Sequence, residues 1–345
     1  MTPRTAPVTA IPRPKIADVA AAAGVSVPTV SKVLNGRTHV ADATRAKVQQ
    51  ALAELDYSKR AAAAKQPGVL QLVVNNFDSP WILETMAGVE AAADRLGYAV
   101  AYARAEHATA ERWRKLREPS VNRLDGVLLL APRKGSRLVT TLRTLKIPAV
   151  AIDPEGTEGL AIPSVSPASF SGALAAVSHL LGQGHRRIGI ITGRGHSPGH
   201  GRARYAAYAA ALHEAGLPVL PELVQDGDFS IESGMRLGGK LLDLPQPPTA
   251  IFTGTDLQAM GVMNAAGQRS LHVPEDLSIV GFDDIAQAAL TSPPLTTVRQ
   301  PLAQLTAMAV GMLTEQQDQP ASGAPTALEV ATELVVRGTT APPAG

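Results

Sequence analysis

The sequence predicts two folds in one chain: a small all-α amino-terminal domain built on a helix-turn-helix, then a larger α/β body with parallel sheets. Three observations carry this. Residues 15–57 hold three short helical patterns, punctuated where a helix-turn-helix must turn. From Val69 onward, short apolar runs alternate with helical stretches, as in parallel sheets covered on both faces. Charge is divided between the two parts. Residues 1–65 carry ten basic and four acidic side chains, a surplus of six. The whole chain is only +2, which leaves −4 on the remaining 280 residues. A basic head on a mildly acidic body is the footprint of phosphate contact confined to one end.

Composition sets the outer bounds. A chain of 345 residues has room for two or three domains. Hydrophobic residues make up 45% and aromatics 3%, so Ala, Val and Leu must fill the core. Cysteine is absent, which excludes disulfides, thiolate metal sites and thiol catalysis. Residues 1–14 contain four prolines and no apolar run, and read as a disordered extension rather than a signal peptide or anchor. No apolar run approaches the length of a membrane-spanning helix. The expectation is a cytoplasmic, soluble protein with no membrane partner.

The elements follow in order. Ile16, Val19 and Ala20 form the apolar stripe of a first helix, and Gly24 ends it. Ser26 is placed as the N-cap of a second helix, with Pro28 in its first turn. Val30 and Val33 would face the first helix, and the alanines from Ala20 to Ala23 would let the two cross closely. Asn35-Gly36 is a stop. Asp42 or Thr44 opens a third helix, with Val48, Leu52 and Leu55 on one face. In the body, strands are predicted at Val69–Val74, Tyr98–Ala103, Gly126–Leu130, Ala149–Ile152, Arg187–Thr192, Ala250–Thr253 and Ser278–Phe282. Helices are predicted at Ile82–Gly97, Ala110–Val121, Ser136–Leu145, Ser169–Leu181, Arg202–Ala215, Ile231–Leu242 and Leu257–Ala266. So many units suit two sheets better than one.

The segment D-V-A-x-x-A-G-V-S-x-x-T-V-S-x-V-L-N-G from Asp18, then V-x-x-x-T-R-x-x-V from Val40 and L-x-Y at Leu55, closely resembles the DNA-binding headpiece of the LacI/GalR family. GHRRIGIIT (184–192), PTAIFTGTDLQAMGV (248–262), VPEDLSIVGFDD (273–284) and PLTTVRQP (294–301) extend the resemblance through the body, from about Lys15 to Gly338. The family implies a periplasmic-binding-protein-like body of two lobes. It implies crossings near Pro163–Pro167, Thr291–Thr297 and Gln319–Thr326. Lobe one would be about 69–164 plus 297–320, and lobe two about 165–292 plus 325–338. Residues 58–68 would be a hinge and 339–345 a tail without heptads. The implied function is a transcriptional regulator, most often a repressor, acting as a homodimer on pseudo-palindromic duplex DNA. A small molecule between the lobes would control it: a mono- or oligosaccharide, with a purine as the lesser option. No cofactor, metal or catalysis is implied.

The second helix should enter the major groove with its N-terminal residues at the base edges. That nominates Val27, Pro28 and Lys32, with Thr29 and Ser31 nearer the phosphates, Ser26 also among the DNA-binding residues, and Asn35 and His39 as support near the backbone. Many relatives carry Arg where Lys32 stands, and lysine lacks the planar fork. The hinge reads SKRAAAAKQPG, with Gln66 where the family inserts a leucine into the minor groove. Lys59, Arg60 and Lys65 are assigned to phosphates instead.

For the small molecule, residues just after the strands are the candidates, because open parallel sheets bind ligands at their carboxyl ends. The resemblance nominates Asp78, Trp81, Arg202, Phe229, Thr255, Asp256 and Asp283. Five have a plainer reading: Trp81 and Phe229 as core rings, Asp78 and Asp256 as helix caps, Arg202 as a surface arginine. Thr255 departs from the Asn common in the family.

Two competitors are weaker. A transport receptor would carry an export signal and no basic head. An α/β enzyme has its best support in Gly193-Arg194-Gly195, but Pro198 stands where a dinucleotide fingerprint needs glycine. His196 and His200 have a helical metal-ligand spacing, but Pro198-Gly199 lies between them and no carboxylate or Cys set accompanies them.

Overall fold

The computed structural model describes residues 16–34, 40–54, 68–117, 124–133, 135–193, 199–318 and 325–344. The chain divides into two units, residues 1–66 and 67–345. The first holds helices α1 (Ile16–Ala23), α2 (Val27–Leu34) and α3 (Asp42–Glu54). Val19, Ala20, Ala23, Val30, Val33, Val48 and Ala51 form its core. Of the four-alanine run, only Ala20 and Ala23 are buried, because three residues return to the same helix face. Gly24 turns the chain at φ +63°, where a Cβ would be strained. The Ser26 hydroxyl pairs with that of Thr29 at 2.8 Å rather than capping backbone N–H groups as expected.

The second unit has two lobes. The first lobe's sheet runs β11 (Ala327–Val330), β5 (Ser164–Pro167), β4 (Ala149–Ile152), β3 (Leu124–Leu130), β1 (Val69–Val74), β2 (Ala99–Arg104), all parallel. One face packs on α4 (Pro80–Asp94) and α11 (Leu302–Asp318), through Leu70, Leu72, Leu128, Leu305 and Leu313 among others. The other packs on α5 (Ala110–Leu116) and α6 (Arg137–Thr144), around Trp113, Leu129 and Leu142. Trp113 is fully buried, and its indole N–H donates to Gln71 Oε1 at 2.7 Å, so no donor is left orphaned.

The second lobe's sheet runs β7 (Val224–Gly227), β6 (Ile188–Gly193), β8 (Ala250–Thr253), β9 (Ser278–Val280), again parallel. Helices α7 (Ser169–Gly182) and α8 (His200–Glu214) cover one face. Helices α9 (Ile231–Leu242) and α10 (Asp256–Gly267) cover the other. A two-stranded antiparallel pair, β10 (Thr297–Arg299) with β12 (Glu333–Val335), lies where the chain passes between lobes.

Several expectations need correction. β5, β7, β10, β11 and β12 were not anticipated as strands, and residues 165–167 and 327–330 belong to the first lobe's sheet rather than the second lobe. Ladder hydrogen bonding to β4 and then β5 decides this, not side-chain hydrophobicity. The third crossing accordingly falls between β11 and β12, after Val330. The expected tail is not free. Thr339 is fully buried, its hydroxyl donates to the Ile279 carbonyl on β9 at 2.7 Å, and Ile279 N–H donates to its carbonyl at 2.8 Å. Ala341 N–H donates to Ser278 Oγ at 3.0 Å. The edge of β9 needs partners, and these residues supply them.

Candidate functional site

Side chains from both lobes meet at the carboxyl ends of their strands. Asp153 follows β4, buried, in a left-handed conformation at φ +50°. His200 begins α8 in the second lobe, and its Nδ1 lies 3.2 Å from Asp153 Oδ1. Arg204, one turn along the same helix, is 3% exposed. Its Nη1 donates to the Gly254 carbonyl, and its guanidinium carbon lies 3.7 Å from the Phe282 ring centroid. Phe229, at φ +69°, places its ring centroid 5.9 Å away. Gly193 and Gly254 make room for that ring, since a Cβ at Gly193 would collide with it. Two buried atoms in this group have no hydrogen-bond partner among the described residues: Arg204 Nε and His200 Nε2.

Asp283 follows β9, buried at φ +124°, and its Oδ1 accepts from Gln300 Nε2 at 2.6 Å. Gln300 Oε1 accepts in turn from Trp81 Nε1 on α4, at 3.1 Å. A third tie joins the lobes, with Glu84 Oε1 accepting from the Ala286 N–H at 2.9 Å. The charges are held against desolvation. Burial raises Asp153 and Asp283 above the usual carboxylate range, opposed by His200 and Arg204 at Asp153 and by Arg204 at Asp283. Burial lowers Arg204, opposed by Asp283, Asp153 and Asp256.

Asp256 is a different kind of residue. It is fully buried, accepting from the Thr297 hydroxyl and from the Ile285 N–H at 2.9 Å. Burial pushes it up to about 7. Both its oxygens are used in joining α10 to the loop after β9 and to β10. Thr255, not Asp256, caps α10: its Oγ1 accepts from Gln258 N–H at 3.2 Å and donates to the Phe229 carbonyl.

Of the other nominated residues, Trp81 is half-buried against the first lobe's core. Asp78 and Arg202 are exposed. The guanidinium among the carboxylates is therefore Arg204, not Arg202. Positions 200 and 204 share a helix face, whereas 202 lies about 200° round from 204. Asp153, Arg204 and Gln300 were missed, and His200 was weighed only as a metal ligand. The signal for Asp153 was available: it directly follows the continuous apolar run AVAI and precedes Pro154. Beside this group, a cavity of about 300 Å³ opens in the first lobe, lined by Val73, Asn75, Leu129, Pro132, Arg133 and Leu138 among others. None of the buried carboxylates lines it, so the polar cluster and this cavity are neighbouring features, not one.

In the first unit, α2 turns Val30 and Val33 inward and leaves Val27, Pro28 and Lys32 exposed, with Ser26 exposed just before it and Thr29 half-buried. The side chain of Ser31 lies outside the described residues, as do Asn35, His39, Lys59, Arg60, Lys65 and Gln66.

Two family models match the chain: bacterial regulatory proteins of the lacI family over residues 15–59, and a periplasmic binding protein-like domain over residues 177–340. The repressor CytR of Escherichia coli K12 is 34% identical over 330 residues, covering 94% of this chain and 95% of its own. A cellobiose complex of the transcriptional regulator CelR matches with a TM-score of 0.70 and 30% identity, over 95% of this chain and 100% of that one. The lac repressor dimer bound to operator and an anti-inducer matches with a TM-score of 0.69 and 27% identity, over 96% of this chain and 100% of that one.

Proposed function

The chain belongs to the LacI family of bacterial transcriptional regulators, and from that premise we propose that α2 reads a pseudo-palindromic operator while the cleft between the lobes takes a neutral sugar. It is a DNA-binding repressor under allosteric control by a small molecule, and not an enzyme. The observation that carries the sugar reading is the mixed set Asp153, His200, Arg204 and Asp283 at the strand ends of both lobes. An anion would meet two carboxylates and a cation would meet Arg204. A hydroxyl both donates and accepts, so a neutral polyol satisfies the whole set. Phe229 and Trp81 supply apolar ring surface at its edge. Asp78 and Arg202, both exposed, take no part in this reading, and Thr255 and Asp256 hold α10 and the loops around the site.

On the DNA side, Val27 meets a thymine methyl and Lys32 donates to guanine O6 or N7 in the major groove. Ser26, Thr29, Ser31, Asn35, His39, Lys59, Arg60 and Lys65 hold the sugar-phosphate backbone. A single headpiece offers little area, so two copies bind together. The exposed apolar side chains Leu83, Leu96, Ile231, Met235 and Leu290 support pairing of the bodies. No helix among the described residues is long and apolar enough to cross a membrane. The site of action is the cytoplasm, where the operator is.

Titrating operator release with a panel of neutral sugars at fixed salt tests the proposal. Release by one sugar, with no turnover of it, is the expected result. Indifference to every neutral sugar, with release by an anionic metabolite, would overturn the sugar reading.

A further inference from the structure

Resting on the operator reading above, we propose that the C-terminal ends of α5 and α6 form a second DNA-contacting surface, on the first lobe, which holds phosphates of the bound duplex through Arg114, Lys115, Arg117, Arg143 and Lys146. Charge points there first. Residues 95–146 carry twelve basic and four acidic side chains. The rest of the body, residues 67–94 and 147–345, carries ten basic and twenty-two acidic ones. The body's mildly acidic total therefore hides a surplus of eight positive charges within 52 residues. All five named side chains are exposed. Among the described residues only Lys115 of the five is in an ion pair, with Glu111 at 3.0 Å. Helix α6 has no acidic residue at all.

Topology then gathers these cations. The first lobe's strands are parallel, so their amino ends share one edge. Helix α5 leads into β3 and α6 into β4, so both return to that edge at their C-termini. Arg117 Nη1 donates to the Leu145 carbonyl at 2.7 Å, which brings the two helix ends together. The chain enters the body at the same edge, where the Gly68 carbonyl accepts from the Ala99 N–H at 3.2 Å. Residues 58–68 are all that joins this edge to the DNA-binding unit, at most about 40 Å of extended chain. A duplex held by the headpiece is thus a polyanion tethered near the edge at high effective concentration. The chemistry of the surface favours a duplex over an acidic protein. Neither α5 nor α6 exposes a large apolar side chain among the described residues, whereas the core of a protein interface is apolar and aromatic. Three of the five cations are arginines, whose planar fork matches phosphate oxygens.

The plainer role for these cations is to offset the carbonyl ends of the two helices. That role affects stability and not the salt dependence of DNA binding, so the two separate. One full-length variant combines Arg114→Gln, Arg143→Gln and Lys146→Asn. Asparagine suits the left-handed backbone at Lys146, φ +51°, and Arg117 is kept for its bond to Leu145. The probes are a duplex selected by the wild type from a random pool, placed at the centre of a longer one, and a scrambled duplex of the same length. Binding is measured over a series of salt concentrations. The variant is expected to lose affinity for both duplexes alike, with a salt slope lower by at least about one, the loss of one phosphate contact or more. A smaller change of slope overturns the proposal and leaves the cations to the helix ends or to an acidic protein. Arg112→Gln with Arg137→Gln removes charge nearer the other ends of the same helices and is expected to keep the wild-type slope. A fall equal to that of the first variant would overturn the placement at this edge. Acetylation of the wild type, read by mass spectrometry, needs no variant. Bound duplex is expected to shield Lys146, and equal labelling with and without duplex contradicts the proposal. Absence of wild-type binding to any duplex would overturn the operator reading itself.

Discussion

The indole N–H of Trp81 donates to Gln300 Oε1 at 3.1 Å, joining a helix of the first lobe to the residue just after the crossover strand β10. Because Gln300 Nε2 donates to Asp283 at 2.6 Å, one amide spans a ring in one lobe and a carboxylate in the other. Replacing Gln300 with Met keeps the volume and strands both partners. The expected cost is about 2–4 kcal/mol of body stability, from the buried Asp283 and the half-buried Trp81 each losing a hydrogen bond. Urea unfolding measures it, and a loss under 0.5 kcal/mol, the usual scatter of surface changes, would mean the amide is dispensable.

Arg204 and Arg202 are expected to separate by function. Arg204→Met removes the charge facing Asp153, Asp256 and Asp283, and sugar-dependent operator release is expected to need at least about tenfold more sugar. Arg202→Ala, on the exposed side of α8, is expected to leave the titration unchanged. Operator-release curves for the two variants side by side decide between them.

Asp256 makes stability depend on pH. Its folded value of about 7 lies above its ordinary 3.8, so the folded state binds more protons between those values. Stability is therefore greatest below about pH 4, where the carboxyl is protonated in both states, and falls as pH rises through about 7. Asp153 and Asp283, also raised by burial, act with the same sign. The fall due to Asp256 is on the order of a few kcal/mol. Asp256→Asn keeps an acceptor for the Ile285 N–H and is expected to flatten the profile between pH 5 and 8. Urea midpoints across that range measure this, and an unchanged slope in the variant would show that another group carries the titration.

Lys32 tests how the headpiece reads DNA. Lys32→Ala is expected to lose about 1–3 kcal/mol of discrimination at one base pair. Phosphate contact alone would instead weaken all duplexes alike and lower the salt slope by about one. Binding to a set of single-base operator variants at several salt concentrations distinguishes these.

The alternation of apolar strands and helices was legible, and Val69–Val74, Ala149–Ile152, Ile231–Leu242 and Ala250–Thr253 coincide with the observed elements. These strands are buried runs whose hydrophobicity speaks for itself. The strands that escaped notice are short, three or four residues each, and lack a continuous apolar run: SVSP at β5, VQDG at β7, TVR at β10, ALEV at β11 and ELV at β12. Their pairing is decided by backbone hydrogen bonds to distant partners, which no local pattern reports. The cleft was half legible for a related reason. Trp81, Phe229 and Asp283 lie close after strand ends, where position alone nominates them. Arg204 needed the phase of α8, and Gln300 needed the knowledge that β10 brings residue 300 beside 283.

In the proposed mechanism, sugar in the cleft and DNA on the headpiece favour different arrangements of one molecule. The direct test measures two ratios on the same full-length sample: operator affinity with and without saturating sugar, and sugar affinity with and without saturating operator. Linkage requires the two factors to be equal. Equal factors are expected, of about fivefold or more. A sugar that binds the wild type tightly while leaving operator affinity unchanged would contradict it.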